Sequence, residues 1–460
     1  MFTVAEIAAF TGGRVIGDSD IEVTGISSDS RTIGPGELFI PLRGERFDGH
    51  AFLPGIADAG VPAALAETGW LTDNTYPEAL TVIAVADTLR ALGDLALAFR
   101  QRYEIPLVGI TGSNGKTTSK EMLAAIMEQI APGLKTVGNL NNLIGLPRML
   151  FQLEGQHAWA VLEMGMSEPG EIDRLAKIAA PQVGVVLNAF PAHLESMGTV
   201  ANVARAKGEL LLRLPEGGCA VVNGDDPLID VLPVPAGVRR ISFGCAEAAE
   251  VRAQDIVLRG IEGQSFTLVI FGEARPVSLA AFGNHSIYNA LAAAAAATAL
   301  GVPPDIIVSG LERFRPYDRR FALETAGELL LIDDSYNANP ASTAAALATL
   351  AGLKGTRQAF VALGDMLELG GDQGQLHYQA GVQAARVADR LYLRGELTAA
   401  TADGAQSCGM PADRIIRGLD HRQIAADIAD HAAPGDLVLV KGSRGMNMEL
   451  VADALRRRNG

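Results

Sequence analysis

Short apolar runs bounded by glycine and polar residues alternate with stretches of helical periodicity along most of the chain. That is the pattern of parallel α/β architecture. It predicts a helix over Val4 to Thr11, then short strands near Arg14 to Ile16 and Ile21 to Ile26. Asp87 to Tyr103 carries Leu89, Leu92, Leu95 and Leu97 on much of one side and reads as a second helix. An apolar run beginning at Ile105 passes through Gly112 and Gly115 into a helical pattern at Lys116. Further strands are expected at 159–162, 183–187 and 219–222, each with polar residues at its C-terminal end, the edge where open α/β sheets bind ligands. A hairpin-rich insert over 251–282 precedes an alanine-rich helix. A last alternation places strands at 329–332, 359–363, 390–393 and 437–440, a Rossmann-type sheet without the dinucleotide glycine pattern. The breaks suggest a small α/β domain over 1–84, a central parallel-sheet domain over 85–315 and a Rossmann-like domain over 316–460.

Bulk properties narrow the class. A chain of 460 residues, 48% apolar and 20% charged, has ample core for a globular protein of this kind. A net charge of −15 disfavours nonspecific nucleic-acid binding, because a phosphate backbone would be repelled over most of the surface. Cys219, Cys245 and Cys408 have no metal-ligand spacing and read as incidental thiols of a reducing compartment. The N-terminus has Glu6 and no basic run, so no signal peptide is expected. The alanine-rich stretch 291–300 is too short to span a bilayer. A cytoplasmic monomer without membrane insertion is the expectation.

The run from 105 to 120 changes the picture most. A strand, a glycine turn and a helix start form an anion cradle, because backbone N–H groups and the helix dipole point outward together. Gly112, Ser113, Asn114, Gly115, Lys116, Thr117 and Thr118 would line it, with Lys116 on the outer phosphates and the Thr117 hydroxyl placed to help hold Mg²⁺. The longer phosphate loop has a glycine where Ile110 stands, so the motif is a shortened one. An ordinary glycine turn is the alternative.

Other chemistry-bearing residues fall at strand ends. Glu163 follows a strand and suits Mg²⁺, which prefers a few hard oxygens with phosphate and water. His193 follows the next strand, and Lys207 lies on the helix after it, where a surface lysine would be the default. Asp334 suits a ribose hydroxyl or a water-bound Mg²⁺, with a domain-linking salt bridge or a helix start as alternatives. Lys441, Ser443 and Arg444 suit an anionic substrate group. Ser28, Ser30 and Arg31, with Arg46, Asp48 and His50, form polar clusters that suit a ligand loop or solvated turns.

Together these stretches resemble the Mur ligase family of peptidoglycan synthesis, over essentially the whole chain. The shortened loop Thr111 to Thr117 is similar to that family's phosphate loop, and Ser28 to Arg31 with Gly44 to His50 resemble a UDP-sugar-binding domain. The segments 136–147, 334–340 and 363–370 resemble the D-alanyl-D-alanine-adding branch more than its sisters. The resemblance implies ATP as cosubstrate, with Lys116 on the β- and γ-phosphates. It implies two Mg²⁺ ions, one held by Thr117 and Glu163 and the other by His193 and a carbamylated Lys207. It places Asn289 at adenine and brings Arg320 and Asp334 to the nucleotide. It implies a UDP-N-acetylmuramoyl-tripeptide and D-alanyl-D-alanine as partners, met by the N-terminal residues above and by Asn139, Asn142, Tyr336, Asn337, Asn339, Lys441, Ser443 and Arg444. A sister ligase adding one amino acid is disfavoured, because no Asp-Asn-Pro-Arg motif occurs in the third domain. A nucleotide-regulated binding module is the rival from another class.

Overall fold

The N-terminal helix starts where Thr3 can cap it. Its hydroxyl accepts the Glu6 N–H while the Glu6 carboxylate accepts the Thr3 N–H, and helix Val4–Thr11 turns Val4, Ile7 and Ala8 inward. The computed structural model describes residues 1–44, 47–191, 194–316 and 319–458, the side chains of Leu194 and Glu195 excepted. These residues fall into two units, one made of Met1–Leu107, Leu134–Met164 and Arg174–Ala180, the other of Val108–Gly133, Gly165–Asp173 and Pro181 onward.

In the first unit five strands lie in the order Arg14–Ile16, Thr81–Val85, Ala63–Glu67, Glu37–Phe39, Gly25–Ser27. The first pair is antiparallel and the rest parallel. Phe39, Leu53, Ile56, Ala64 and Val82 pack one face of this sheet. The strand expected over 21–26 is broken in two. Glu22–Val23 pairs with Phe2–Thr3, and Gly25–Ser27 pairs with Glu37–Phe39, because the Thr24 N–H and hydroxyl both bond the Gly36 carbonyl and turn the chain between them. Asp87 caps helix Thr88–Arg100, which sets Phe99 edge-on to Phe2 with ring centres 6.1 Å apart. This helix therefore packs with the N-terminal elements and not only with those that follow it. Ala160–Glu163 pairs in parallel with Leu134–Lys135, a short strand that the sequence pattern did not reveal.

In the second unit Leu107–Thr111, Val183–Val186, Cys219–Asn223, Arg239–Gly244 and Val251–Leu258 run parallel in that order. The antiparallel strands Gln264–Ile270 and Glu273–Leu279 extend the sheet. Helix Asn284–Ala299 is buried on every side from Ala290 to Ala297. Its methyl side chains let helix Lys116–Met127 approach closely, so alanine here is a packing device and not a weak membrane signal. The C-terminal sheet has the order Ala322–Ala326, Leu329–Asp334, Leu437–Lys441, Ala359–Gly364, Arg390–Arg394, Ile415–Arg417, with only the first pair antiparallel. Apolar side chains cover both of its faces, Leu347, Leu350 and Leu439 on one and Phe360, Ile424 and Val451 on the other. Among the described residues no helix is long and apolar enough to cross a membrane.

Candidate functional site

The glycine loop is held from below by the strand beside it. The Ser113 N–H donates to the Asn188 carbonyl at 3.2 Å. The Asn114 N–H donates to Asn188 Oδ1 at 3.0 Å, and Asn188 Nδ2 returns a bond to the Asn114 carbonyl at 3.1 Å. The Ser113 hydroxyl exchanges bonds with the backbone of Phe190. Gly115, at φ 88°, sits in the left-handed region, and a Cβ there would overlap Asn289 Oδ1. Gly115 also starts helix Lys116–Met127 without a side-chain cap, which leaves the first turn's N–H groups facing the loop. Lys116 Nζ folds back on the Gly112 carbonyl at 2.6 Å, and Thr117 is buried in the first turn.

Lys207, on helix Val200–Leu212, is only 4% exposed. Among the described residues no carboxylate pairs with it. Burial, and then the charge of Lys116, hold its amine well below the ordinary lysine pKa. A buried lysine facing a second lysine is costly as a cation and chemically useful as a neutral amine.

The second unit therefore brings together the loop residues 112–118, Lys207 and Asn289. Asn289 is buried, and its Oδ1 accepts from the Ser119 hydroxyl at 3.2 Å. Glu163 ends its strand in the first unit, 2% exposed, with its N–H on the Thr136 hydroxyl at 2.9 Å. His193 and Arg46 lie outside the described residues. Among the described residues no group of three or more His, Cys, Asp and Glu side chains is placed to hold a metal. Thr117 and Lys207 are not of those types. In the second unit the Thr117 hydroxyl is a hard oxygen donor of the kind a divalent ion prefers, and a neutral Lys207 amine can acquire a carboxylate-like group; in the first unit the Glu163 carboxylate is a donor of the same hard kind.

At the C-terminal sheet, three residues expected at the substrate have partners within the chain. Lys441 was expected on an anionic substrate group, yet it is 2% exposed. Its Nζ bonds Asp334 Oδ2 at 2.6 Å and the Asn337 carbonyl at 2.9 Å. Ser443 is buried too, its hydroxyl bridging Ala338 and Leu367 backbone groups. Asn339 caps helix Pro340–Lys354 and pairs with Asn114, so its amide already has partners. Asp334 accepts the Phe321 N–H as well as pairing with Lys441, a salt bridge between neighbouring strands of one sheet and not a domain-linking one. Arg320 lies over the Tyr336 ring, its guanidinium carbon 3.9 Å from the ring centre, with the more exposed Arg444 at 5.8 Å. The Arg444 N–H reaches Asn337 Oδ1 at 3.4 Å.

In the first unit Arg31 is solvent-facing and chelates Asp29 through two bonds of 2.8 and 2.7 Å, which hold the Asp29 carboxyl below the usual range. Ser28 and Ser30 are half-buried beside it, and Asn139 is exposed. Asn142 lies just before helix Gly145–Leu150, its Oδ1 accepting the Gly145 N–H at 2.8 Å. His50, expected at the substrate, is fully buried. Its ring bonds Asp48 and accepts the Glu67 N–H at 3.0 Å while stacking on Trp70. It positions Asp48 and Glu67 and has no nitrogen left for a ligand. His50→Ala should therefore destabilise the full chain by about 1–3 kcal/mol, the cost of stranded polar groups. Denaturant unfolding at an unchanged midpoint would contradict this.

Asn188 was not singled out as a site residue. Its position directly after an apolar strand beside the loop strand was the available signal.

Comparison with known proteins bears on what this cradle serves. Residues 110–297 match a Mur ligase middle domain, 319–444 a Mur ligase glutamate ligase domain and 22–100 a Mur ligase family catalytic domain. The chain is 36% identical to the UDP-N-acetylmuramoyl-tripeptide–D-alanyl-D-alanine ligase of Bacillus subtilis, over 98% of each chain. A crystal structure of MurF from Acinetobacter baumannii superimposes with TM-score 0.88 at 33% identity, covering 99% of this chain and 98% of that one. MurF ligase from Thermotoga maritima, solved in complex with ADP, gives TM-score 0.84 at 28% identity over 95% and 98% of the two chains.

Proposed function

This chain belongs to the Mur ligase family, and from that premise we propose that it joins D-alanyl-D-alanine to a UDP-N-acetylmuramoyl-tripeptide at the expense of ATP. The observation that carries this reading is end-to-end similarity to ligases of that name, with a nucleotide cradle intact at its centre. We assign the three domains to 1–84, 85–315 and 316–460, the first for the UDP-sugar peptide and the second for ATP. The third would position the amine. ATP and a free nucleotide-sugar substrate suit a cytoplasmic reaction.

The chemistry answers a physical problem, since a carboxylate is a poor electrophile. The γ-phosphoryl of ATP passes to the tripeptide's terminal carboxylate, forming a P–O bond as the bond to ADP breaks. The dipeptide's amine attacks the acyl carbon of the resulting acyl phosphate. The C–O bond to phosphate then breaks, and the amine loses a proton. Lys116 and the N–H groups of the first turn oppose charge on the phosphates, and the fixed loop geometry supplies orientation. The loop bonds from Asn188 keep those N–H groups aimed without reorganisation. In this reading Thr117 and Glu163 hold one Mg²⁺, and His193 with a carbamylated Lys207 holds a second. Bound there, the ions supply charge neutralisation across the transferring phosphoryl group. Asn289 is assigned to adenine, and Arg320 and Asp334 to the nucleotide from the third domain. Phosphate release should depend on the UDP-tripeptide and D-alanyl-D-alanine together. Release at full rate with neither present would instead favour a nucleotide-regulated binding module.

A further inference from the structure

The side chain of Asn114 faces away from the strand that anchors its backbone. It meets Asn339, 225 residues on, in a reciprocal amide pair: Asn339 Nδ2 donates to Asn114 Oδ1 at 2.7 Å and Asn114 Nδ2 donates to Asn339 Oδ1 at 3.3 Å. Asn339 Oδ1 also accepts the Ser342 N–H at 2.9 Å, and Ser342 Oγ accepts the Asn339 N–H at 3.1 Å, so one side chain both starts helix Pro340–Lys354 and grips the phosphate loop. The segment behind it is braced. Lys441 ties Asp334 to the Asn337 carbonyl, Asn337 Oδ1 takes the Ala338 N–H at 2.9 Å, and the Ser443 hydroxyl donates to the Ala338 carbonyl. Hydrogen bonds thus run from the C-terminal sheet through Asn339 and Asn114 to Asn188 at the end of the central strand. Arg320 lies on Tyr336 of this same braced segment.

We propose that the Asn114–Asn339 amide pair is the contact that sets the C-terminal domain's register on the phosphate loop, with Asn339 as a positioning residue for phosphoryl transfer and not a substrate contact. Two planar amides bonded in both directions tolerate little relative displacement. A shift of the C-terminal domain against the loop must break the pair, and with it the placement of Arg320 relative to the phosphates. This rests on the ligase reading, which the unmodified protein tests in the same assay.

Asn339→Ser isolates the pair from the helix start, because serine caps a helix about as well as asparagine but is too short to reach Asn114. Asn114→Ser removes the other half while sparing the backbone bonds to Asn188. We expect each single change to lower kcat by about five- to tenfold, the loss of an ordinary hydrogen-bonded contact, with the KM for ATP and the melting temperature of Asn339→Ser near those of the unmodified chain. The double variant should be no slower than the slower single one, as in a thermodynamic cycle whose two members share one interaction. Asn339→Thr repeats the measurement with a second capping residue should the serine variant melt lower. An Asn339→Ser kcat equal to that of the unmodified chain, or losses that multiply in the double variant, would overturn the proposal. Ligation by the unmodified chain alongside either result would leave its activity established.

Discussion

Lys207→Ala should cost ligation at least about a hundredfold, on the scale of losing a group that opposes charge in the transition state, and short carboxylates should restore part of it. The expectation follows from an electrostatic anomaly. Lys207 is buried, has no pairing carboxylate among the described residues, and lies where Lys116 opposes its charge. Such an amine is neutral over a wider pH range than a surface lysine, and a neutral amine can take up CO₂ to become a carboxylate-like ligand. The same anomaly has a signature independent of activity. A lysine held below its ordinary pKa binds fewer protons folded than unfolded, between its folded value and about 10.4. Stability therefore rises with pH through that window, and the penalty is in place at neutral pH. Lys207→Met should accordingly melt higher than the unmodified chain in CO₂-free buffer at pH 7. The gap should narrow as pH rises towards 10. Full ligation by Lys207→Ala would refute the carbamate, and a Lys207→Met variant that melts lower at pH 7 would refute the strain.

Lys116→Gln is the second large effect. Its Nζ sits over the loop, 2.6 Å from the Gly112 carbonyl, where a phosphate oxygen would find it already in place. Glutamine keeps much of the length and removes the charge, so turnover should fall by about 10²–10³, as it does when a preorganised donor is lost. ADP binding should weaken less, because the first-turn N–H groups and the helix dipole remain. The change also removes one of the two causes of the depressed Lys207 pKa. The Lys207 amine should become more basic, and CO₂ uptake at a fixed pH should fall. Single-turnover phosphoryl transfer and calorimetric titration with ADP separate the two effects. Equal losses in both would show that Lys116 binds ground state and transition state alike.

Local chemistry was legible in the sequence, and long-range pairing was not. The strand, loop and helix around Gly112 and Gly115 follow from periodicity within some twenty residues, and the structure places them as expected, with helix Lys116–Met127 starting at the anticipated lysine. The alanine-rich helix and the four expected C-terminal strands are present for the same reason. Arg239–Gly244 escaped notice because it opens on two exposed arginines. Ala322–Ala326 and Ile415–Arg417 are edge strands without a strong apolar run. His50, Lys441 and Asn339 are polar residues at or near the ends of elements, which in sequence resemble ligand contacts. Their partners, Glu67, Asp334 and Asn114, lie from 17 to 225 positions away. Such long-range pairing is a property of the folded chain, which local sequence does not display.

The most direct test is amide formation by the full chain supplied with ATP, Mg²⁺, a UDP-N-acetylmuramoyl-tripeptide and D-alanyl-D-alanine, followed by mass spectrometry of the nucleotide-sugar product. The expected result is a UDP-linked pentapeptide, with one ADP and one phosphate formed for each, and none when either peptide substrate is omitted. ATP hydrolysis that proceeds without amide product when both substrates are present would contradict the account.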